Sequence, residues 1–171
     1  MRAKLELVLT AFMLITGVMV ISSYARTYMR ERSKVLHVGD HLPAIGGLNY
    51  AEHDRTLILM LKTGCEFCDA SMPFYRELAT ASNARHQDTF LVAVIPEDAS
   101  IEEQILMTHK VPISVIGHIA LNSMKVTGTP TLVLLDKQGA VQKLWVGQLS
   151  QQGEHDVLLQ FSVTRIPLHL A

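Results

Sequence analysis

The stretch LILMLKTGCEFC, residues 57–68, determines how the rest of the chain is interpreted. Its first five residues form an apolar run typical of a buried strand, and two cysteines follow at a CxxC spacing. Cys65 and Cys68 are the only cysteines in the 171-residue sequence. A chain that places both of its thiols in one such pair points to thiol–disulfide chemistry.

The two cysteines are predicted to have different roles. If a helix begins near Cys65, the first sulfur lies at its N-terminus, where unpaired N–H groups and the helix dipole favour a thiolate. Cys68 then lies one turn later on the same face, close enough to attack a mixed disulfide. We expect Cys65 to be the nucleophile and Cys68 the resolving thiol of a redox-active disulfide, with no organic cofactor and no metal.

The N-terminal segment is predicted to reach a membrane. Residues 7–24 carry no charge, and as a helix they would span about 27 Å, close to the thickness of a hydrocarbon core. We expect a retained single-pass anchor; the alternative is a signal peptide cut after Ala25, because a basic stretch precedes the apolar run. Residues 1–37 are assigned to the anchor and a juxtamembrane linker, and residues 38–171 to a globular domain.

Two observations bear on the side of the membrane, and they oppose each other. Basic residues are denser after the apolar run than before it, which by the positive-inside rule favours a cytoplasmic domain. The lack of further cysteines suits an oxidising compartment, where a stray thiol would mispair. We predict an extracytoplasmic, periplasmic domain. Its acidic composition, without a basic stripe, argues against nucleic acid as a partner.

The apolar runs and turn residues predict a mixed sheet flanked by helices, an α/β fold. The helix after the first cysteine is expected to kink at Pro73, and another to begin with a capping box of Ser100 and Glu103. Residues 136–139 are predicted to form a hairpin turn. The predicted strands are residues 57–61, 90–95, 111–116, 131–135 and 140–146, and the predicted helices are residues 65–82, 100–109, 118–125 and 150–163.

Further motifs accompany the CxxC pair. Pro73 follows the second cysteine by five residues, Thr129-Pro130 precedes a predicted strand, and a DKQG turn leads towards Trp145. An extra helix and strand are predicted between residues 96 and 126. With the strand–CxxC–helix order, these features resemble the thioredoxin superfamily, in particular its membrane-anchored TlpA-like branch, over about residues 38–161.

The resemblance implies a thioredoxin-like fold and a membrane-tethered thiol–disulfide oxidoreductase. Better-known members of this branch reduce disulfides of extracytoplasmic proteins, often for cytochrome c maturation. For this chain the resemblance implies a cis Pro130, which with Thr129 lines a groove that pairs with an extended peptide. It also implies protein disulfides or dithiols as substrates, and a membrane or soluble dithiol as the electron donor.

The chain departs from the family pattern at two positions close to the cysteines. Gly64 stands where the family usually has an aromatic residue. Leu59 stands where plain thioredoxin has a buried acid that helps to deprotonate the resolving thiol. Because that acid is missing, the proton-transfer step of this chain is left without an obvious acceptor.

Three residues around the cysteines are predicted to tune them. Glu66 is the nearest replacement for the missing acid, and its carboxylate is expected to raise the pKa of Cys65 and make the disulfide more reducing. Lys62 is expected to offset this effect in part. Phe67 is the third predicted tuning residue. Both Phe67 and Trp145 are expected to pack against the protein rather than to contact substrate.

Two other functions stay open at this point. A metal-binding carrier would use both cysteines and a histidine, although the one histidine pair at a suitable spacing, His37 and His41, lies in a linker-like stretch. A thiol peroxidase would need a threonine three residues before its cysteine and a proline four before that. This chain has Lys62 and Ile58 at those positions.

Overall fold

The structure of the protein is a computed structural model that describes residues 2–32, 34–83 and 89–162. The chain divides into two compact units, Met1–Val35 and Leu36–Ala171. This division falls two residues before the predicted start of the globular domain. Each unit is described separately below.

The first unit is one long helix, α1 (Arg2–Arg32). Its 21-residue segment Leu9–Met29 is long and apolar enough to cross a membrane. The predicted apolar run, residues 7–24, lies largely within that segment. A signal sequence near the N-terminus meets the same criteria, so the anchor and the signal peptide both stay predictions.

The described part of the second unit contains a five-stranded mixed sheet, which confirms the predicted fold class. The strands lie in the order β3-β2-β1-β4-β5. The pairs β1–β2 and β2–β3 are parallel, whereas β4 runs antiparallel to both β1 and β5. The strands are β1 (Arg55–Met60), β2 (Thr89–Val94), β3 (Ser114–Ile116), β4 (Thr131–Asp136) and β5 (Val141–Val146).

Four helices and two short 3-10 turns complete the described part of this unit. The 3-10 turns are Tyr50–Glu52 and Leu121–Met124. The helices are α2 (Glu66–Ala70), α3 (Met72–Asn83), α4 (Ala99–Thr108) and α5 (Gln151–Ser162). Val163, the last residue of the predicted C-terminal helix, lies outside the described residues.

The central strand β1 buries both of its faces, as its unbroken apolar run predicts. Alternate side chains point to opposite faces, so Leu57 and Leu59 pack with α3, α4 and α5 on one side. Ile58 and Met60 pack on the other side with the 3-10 turns and the connecting segments. The strand that precedes the cysteines is therefore held in the middle of the core.

The predicted kink in the active-site helix is a full interruption. The helix ends at Ala70 and restarts at Met72, with Ser71 between them at φ −90° and ψ 0°. Pro73 has no N–H to donate to the carbonyl four residues earlier, and the Asp69 carbonyl accepts from Ser71 instead. The proline thus breaks the helix two residues before its own position.

The predicted capping box at Ser100 is wrong. The N-cap of α4 is Asp98, whose carboxylate accepts from the Ser100 N–H at 2.8 Å and from the Ser100 hydroxyl at 2.5 Å. Aspartate is among the best N-cap residues, and its position two residues earlier starts the helix before Ser100. Ser100 therefore lies within the first turn.

The helix predicted over residues 118–125 is also wrong, because only the 3-10 turn Leu121–Met124 forms there. The His118 N–H donates to the Glu97 carbonyl at 2.9 Å, so the start of this segment bonds to the chain after β2. Lys125 then ends the turn in the left-handed region at φ 59°. Backbone bonds to another part of the chain have replaced those of a helix.

Candidate active site

The CxxC pair lies where the central strand ends and α2 begins. Cys65 is the N-cap of α2 and Cys68 lies inside it, as the predicted strand–CxxC–helix order requires. Gly64 has a φ of +72°, a conformation that side chains rarely adopt. In this chain the turn into α2 therefore favours a glycine, at a position where the family usually has an aromatic residue.

The sulfur of Cys65 lies among hydrogen-bond donors. It accepts from the Cys68 N–H at 3.3 Å and from the Thr129 hydroxyl at 3.5 Å. The Thr129 carbonyl lies 3.5 Å from the same sulfur and accepts from it when it is a thiol. Both cysteines are free thiols, Cys65 half-buried and Cys68 buried.

The environment separates the pKa values of the two thiols. Burial raises the pKa of Cys65, but hydrogen bonds from Cys68 and Thr129 outweigh it and leave that pKa below its usual value. Burial, together with the hydrogen bond to Cys65, raises the pKa of Cys68 to about 12. The more exposed thiol is thus the better nucleophile, which is the asymmetry that the predicted roles require.

The loop before β4 faces the cysteines. The Thr129–Pro130 peptide bond is cis, as the family resemblance implies. The Pro130 carbonyl accepts from the Gly147 N–H at 2.7 Å, and the Thr131 hydroxyl donates to the Gly128 carbonyl at 2.7 Å. These bonds hold the loop so that Thr129 lies against Cys65. Substrate binding by Thr129 and Pro130 stays a prediction.

Of the predicted tuning residues, Lys62, Glu66 and Phe67 are all exposed. The net pKa of Cys65 is lowered, opposite to the direction that we expected from Glu66. An exposed carboxylate is screened by solvent, whereas the hydrogen bonds to the sulfur are short-range and direct. The hydrogen bonds therefore determine the direction of the shift.

The packing prediction is wrong for Phe67 and holds in part for Trp145. Phe67 is 56% exposed, because its position in the short α2 turns it away from the sheet. Trp145 is half-buried against the core, and its indole Nε1 donates to Asp156 at 3.1 Å. Phe67 is thus an apolar surface residue two positions from Cys65.

The sequence analysis missed an acidic residue near the site, Glu102 on α4. Its side chain is only 2% exposed, and the Thr63 hydroxyl donates to its carboxylate at 3.2 Å. Glu102 lies four residues before the buried Leu106, so helical periodicity could have placed both on one face. The adjacent Glu103, which the sequence analysis assigned to a capping box, is exposed.

The part of the chain that the structure describes contains no preformed metal site of the kind that a metal carrier would use. No group of three or more histidine, cysteine, aspartate or glutamate side chains lies together there in a way that could hold a metal ion. A cysteine pair alone supplies two of the four ligands that a structural zinc site needs.

A mixed sheet whose central strand ends at a CxxC pair, faced by a cis threonine–proline bond, defines a thioredoxin-fold protein with a dithiol site. The family model for the thioredoxin-like domain matches residues 49–162, and the chain belongs to this family. The predicted membership of the thioredoxin superfamily and the predicted fold are thereby confirmed. Comparison of the sequence with curated proteins finds no significant match.

Solved structures share the fold at low sequence identity. A thiol:disulfide interchange protein from Bacteroides sp. is 18% identical with a TM-score of 0.59, over 79% of this chain and 96% of that one. The thioredoxin domain of a thiol-disulfide oxidoreductase from Bacteroides vulgatus is 20% identical with a TM-score of 0.57, over 75% and 99%. A thiol-disulfide isomerase from Corynebacterium glutamicum is 12% identical with a TM-score of 0.54, over 75% and 94%.

Proposed function

We propose that this protein is a thiol–disulfide oxidoreductase that acts on protein substrates through Cys65 and Cys68. The observation that carries the proposal is the contrast between the two thiols. The half-buried Cys65 sulfur accepts hydrogen bonds that stabilise a thiolate, and the buried Cys68 stays a thiol until it is needed. Membership of the thioredoxin-like family supports the same chemistry, as does the similarity to a thiol:disulfide interchange protein and a thiol-disulfide oxidoreductase.

In the reducing direction the reaction has two exchange steps. The Cys65 thiolate attacks a substrate disulfide, forms a mixed disulfide and releases one substrate thiolate. Cys68 then loses its proton and attacks the Cys65 sulfur, which closes the Cys65–Cys68 disulfide and releases the second substrate thiolate. Two electrons have passed to the substrate, and a membrane or soluble dithiol returns the pair to its reduced form.

The surface beside Cys65 supports a polypeptide as the substrate. Phe67 is 56% exposed and Val146, at the end of the edge strand β5, is 60% exposed. Gly147, the next residue, bonds to the Pro130 carbonyl, so Val146 lies beside the cis-proline loop. An extended peptide that crosses Thr129 would contact apolar side chains on either side of the thiol.

The reduction potential of the pair tests this function and its direction. We propose that the protein is a reductase, and the resemblance to the TlpA-like branch supports this direction. We expect titration of the full chain in a thiol redox buffer to give a value near or below about −250 mV. A value above about −180 mV would contradict the reducing direction. A pair with no reversible two-electron couple would contradict the oxidoreductase itself.

We further propose that α1 tethers the dithiol domain to a membrane on the periplasmic side, where it acts in cytochrome c maturation. The apolar segment Leu9–Met29 and the lack of cysteines outside the pair support the location, and the family resemblance supports the role. We expect activity from a C-terminal fusion to a reporter enzyme that works only outside the cytoplasm. Activity of the opposite reporter, one that works only inside, would overturn the location.

A further inference from the structure

The turn between the central strand and α2 sets the position of Cys65. The Cys65 N–H donates to the Lys62 carbonyl at 3.2 Å, and Gly64, the third of the four residues, has a φ of +72°. This combination is typical of a type II turn. Cys65 is also the N-cap of α2, so the direction in which the turn leads the chain determines where the sulfur lies.

Thr63, the second residue of this turn, is bound by two carboxylates from a distant part of the chain. Its hydroxyl donates to Glu102 on α4 at 3.2 Å. Its N–H donates to Glu97, in the loop before α4, at 3.4 Å. Both hydrogen-bond donors of Thr63 are therefore engaged by side chains of one segment, which follows the turn by 34 to 39 positions.

The segment that carries the two carboxylates is itself fixed in place. The His118 N–H donates to the Glu97 carbonyl at 2.9 Å, and a Cβ at Gly117 would lie 2.6 Å from the Ala99 nitrogen, so the two stretches of backbone are in close contact. Glu102 is 2% exposed, and a buried carboxylate is costly unless hydrogen bonds compensate for the lost water. Glu102 is thus a firmly held acceptor for the turn.

One of the two donors to the Cys65 sulfur depends on the position of this turn. The Cys68 N–H belongs to α2, as the cysteine does, so its 3.3 Å bond moves with the helix. The Thr129 hydroxyl belongs to the loop before β4 and lies 3.5 Å from the sulfur, so any further separation weakens that bond. A shift of the turn away from this loop therefore destabilises the thiolate.

We propose that Glu102 is a positioning residue, which through the Thr63 hydroxyl holds the turn into α2 so that the Cys65 sulfur stays within hydrogen-bonding distance of the Thr129 hydroxyl. The inference rests on the proposed oxidoreductase function and deepens it. Glu102 acts on the nucleophile through Thr63, so it is not a catalytic residue. Its contribution is to keep Cys65 reactive at neutral pH.

Alkylation of the full chain in mild detergent tests the proposal. In a Cys68→Ser parent, Cys65 is the single thiol, and the pH dependence of its reaction with iodoacetamide, followed by mass spectrometry, gives its pKa. Thr63→Val keeps the shape of the side chain but removes the hydroxyl, and we expect it to raise the pKa of Cys65 by about 0.5 to 1 pH unit. Thr63→Ser keeps the hydroxyl and should have the pKa of the parent.

Variants of Glu102 in the same parent separate positioning from an effect of charge. Removal of a nearby negative charge alone would lower the pKa of Cys65, whereas loss of the bond to Thr63 should raise it. We therefore expect E102A to raise the pKa of Cys65. E102Q keeps an oxygen that can accept from the Thr63 hydroxyl, and it should leave that pKa at or below the value of the parent. The matched control E103A changes an exposed neighbour on α4 and should not alter it.

An unchanged pKa of Cys65 in Thr63→Val would overturn the proposal, as would an equal rise in Thr63→Val and Thr63→Ser, or a lowered pKa in E102A. If E102A does not fold, the comparison of the two Thr63 variants decides. The proposed function has a separate readout, because the parent retains Cys65 and should form a mixed disulfide with oxidised glutathione. Failure to form it would contradict the oxidoreductase, whereas the alkylation results test the role of Glu102.

Discussion

A Cys65→Ser variant is expected to lose disulfide exchange completely, because a serine hydroxyl is not ionised at neutral pH and cannot form a mixed disulfide. The environment that lowers the pKa of Cys65 does not compensate for the loss of sulfur. Reduction of a protein disulfide by the full chain in detergent, followed as the release of substrate thiols, measures the effect. Retention of a measurable fraction of wild-type turnover would contradict the assignment of Cys65 as the nucleophile.

Cys68→Ser is the matched control, since it makes the same replacement of a sulfur by an oxygen at the other cysteine of the pair. It is expected to perform the first exchange and then stop, because no thiol is present to resolve the mixed disulfide. The variant should therefore stay covalently bound to its substrate, and a reducing agent should release it. The proteins trapped in this way would also test whether c-type apocytochromes are among the substrates.

Leu59→Ala is expected to lower the free energy of unfolding by about 2–5 kcal/mol, the usual loss for a fully buried leucine. Leu59 has no exposed surface and lies on the central strand, paired with Ala93 on β2 and Leu132 on β4. Its side chain packs in the cluster that also contains Cys68. Removal leaves a cavity that the flanking strands cannot close without shifting.

The control for this prediction is Leu159→Ala, because Leu159 is 49% exposed on α5. This substitution should lower the free energy of unfolding by no more than about 0.5 kcal/mol, as most surface substitutions do. Denaturant unfolding followed by the fluorescence of Trp145, the single tryptophan, compares the two variants in the same detergent. Similar losses from both would show that Leu59 does not lie in a close-packed core.

Leu59 also occupies the position at which plain thioredoxin has a buried acid. An ionised group there would be buried in an apolar cluster, where an unpaired charge is very costly. Glu102 on α4 instead accepts a hydrogen bond from the hydroxyl of Thr63, which lies two residues before Cys65. The chain thus combines an apolar central strand with a compensated acid that comes from a different element.

Much of the fold was predictable from local patterns. Unbroken apolar runs located the buried strands to within two residues, since a strand buried on both faces leaves no room for polar side chains. The turn over residues 136–139 and the antiparallel β4–β5 pair were predicted from the turn residues between two apolar runs. Such signals are carried by neighbouring residues and need no knowledge of the rest of the chain.

The errors lie where the backbone bonds to a distant segment. The helix predicted over residues 118–125 failed because the N–H of His118 bonds to the Glu97 carbonyl, 21 positions earlier. The pKa of Cys65 is lowered, opposite to the direction expected from Glu66, because hydrogen bonds from Cys68 and Thr129 to its sulfur outweigh burial. Phe67 was expected to pack, but the short helix α2 leaves it at the surface.

The sequence by itself determined the chemistry: two cysteines at one spacing after a buried strand, with a proline five residues later, restrict the chain to a thioredoxin-like dithiol site. The tertiary structure alone decided how unequal the thiols are. Thr129 lies 64 positions from Cys65 and Glu102 lies 39 from Thr63, and each contact forms only when strands and helices pack together. Burial and hydrogen bonding depend on which surfaces meet, so a sequence can supply these groups without revealing what each one faces.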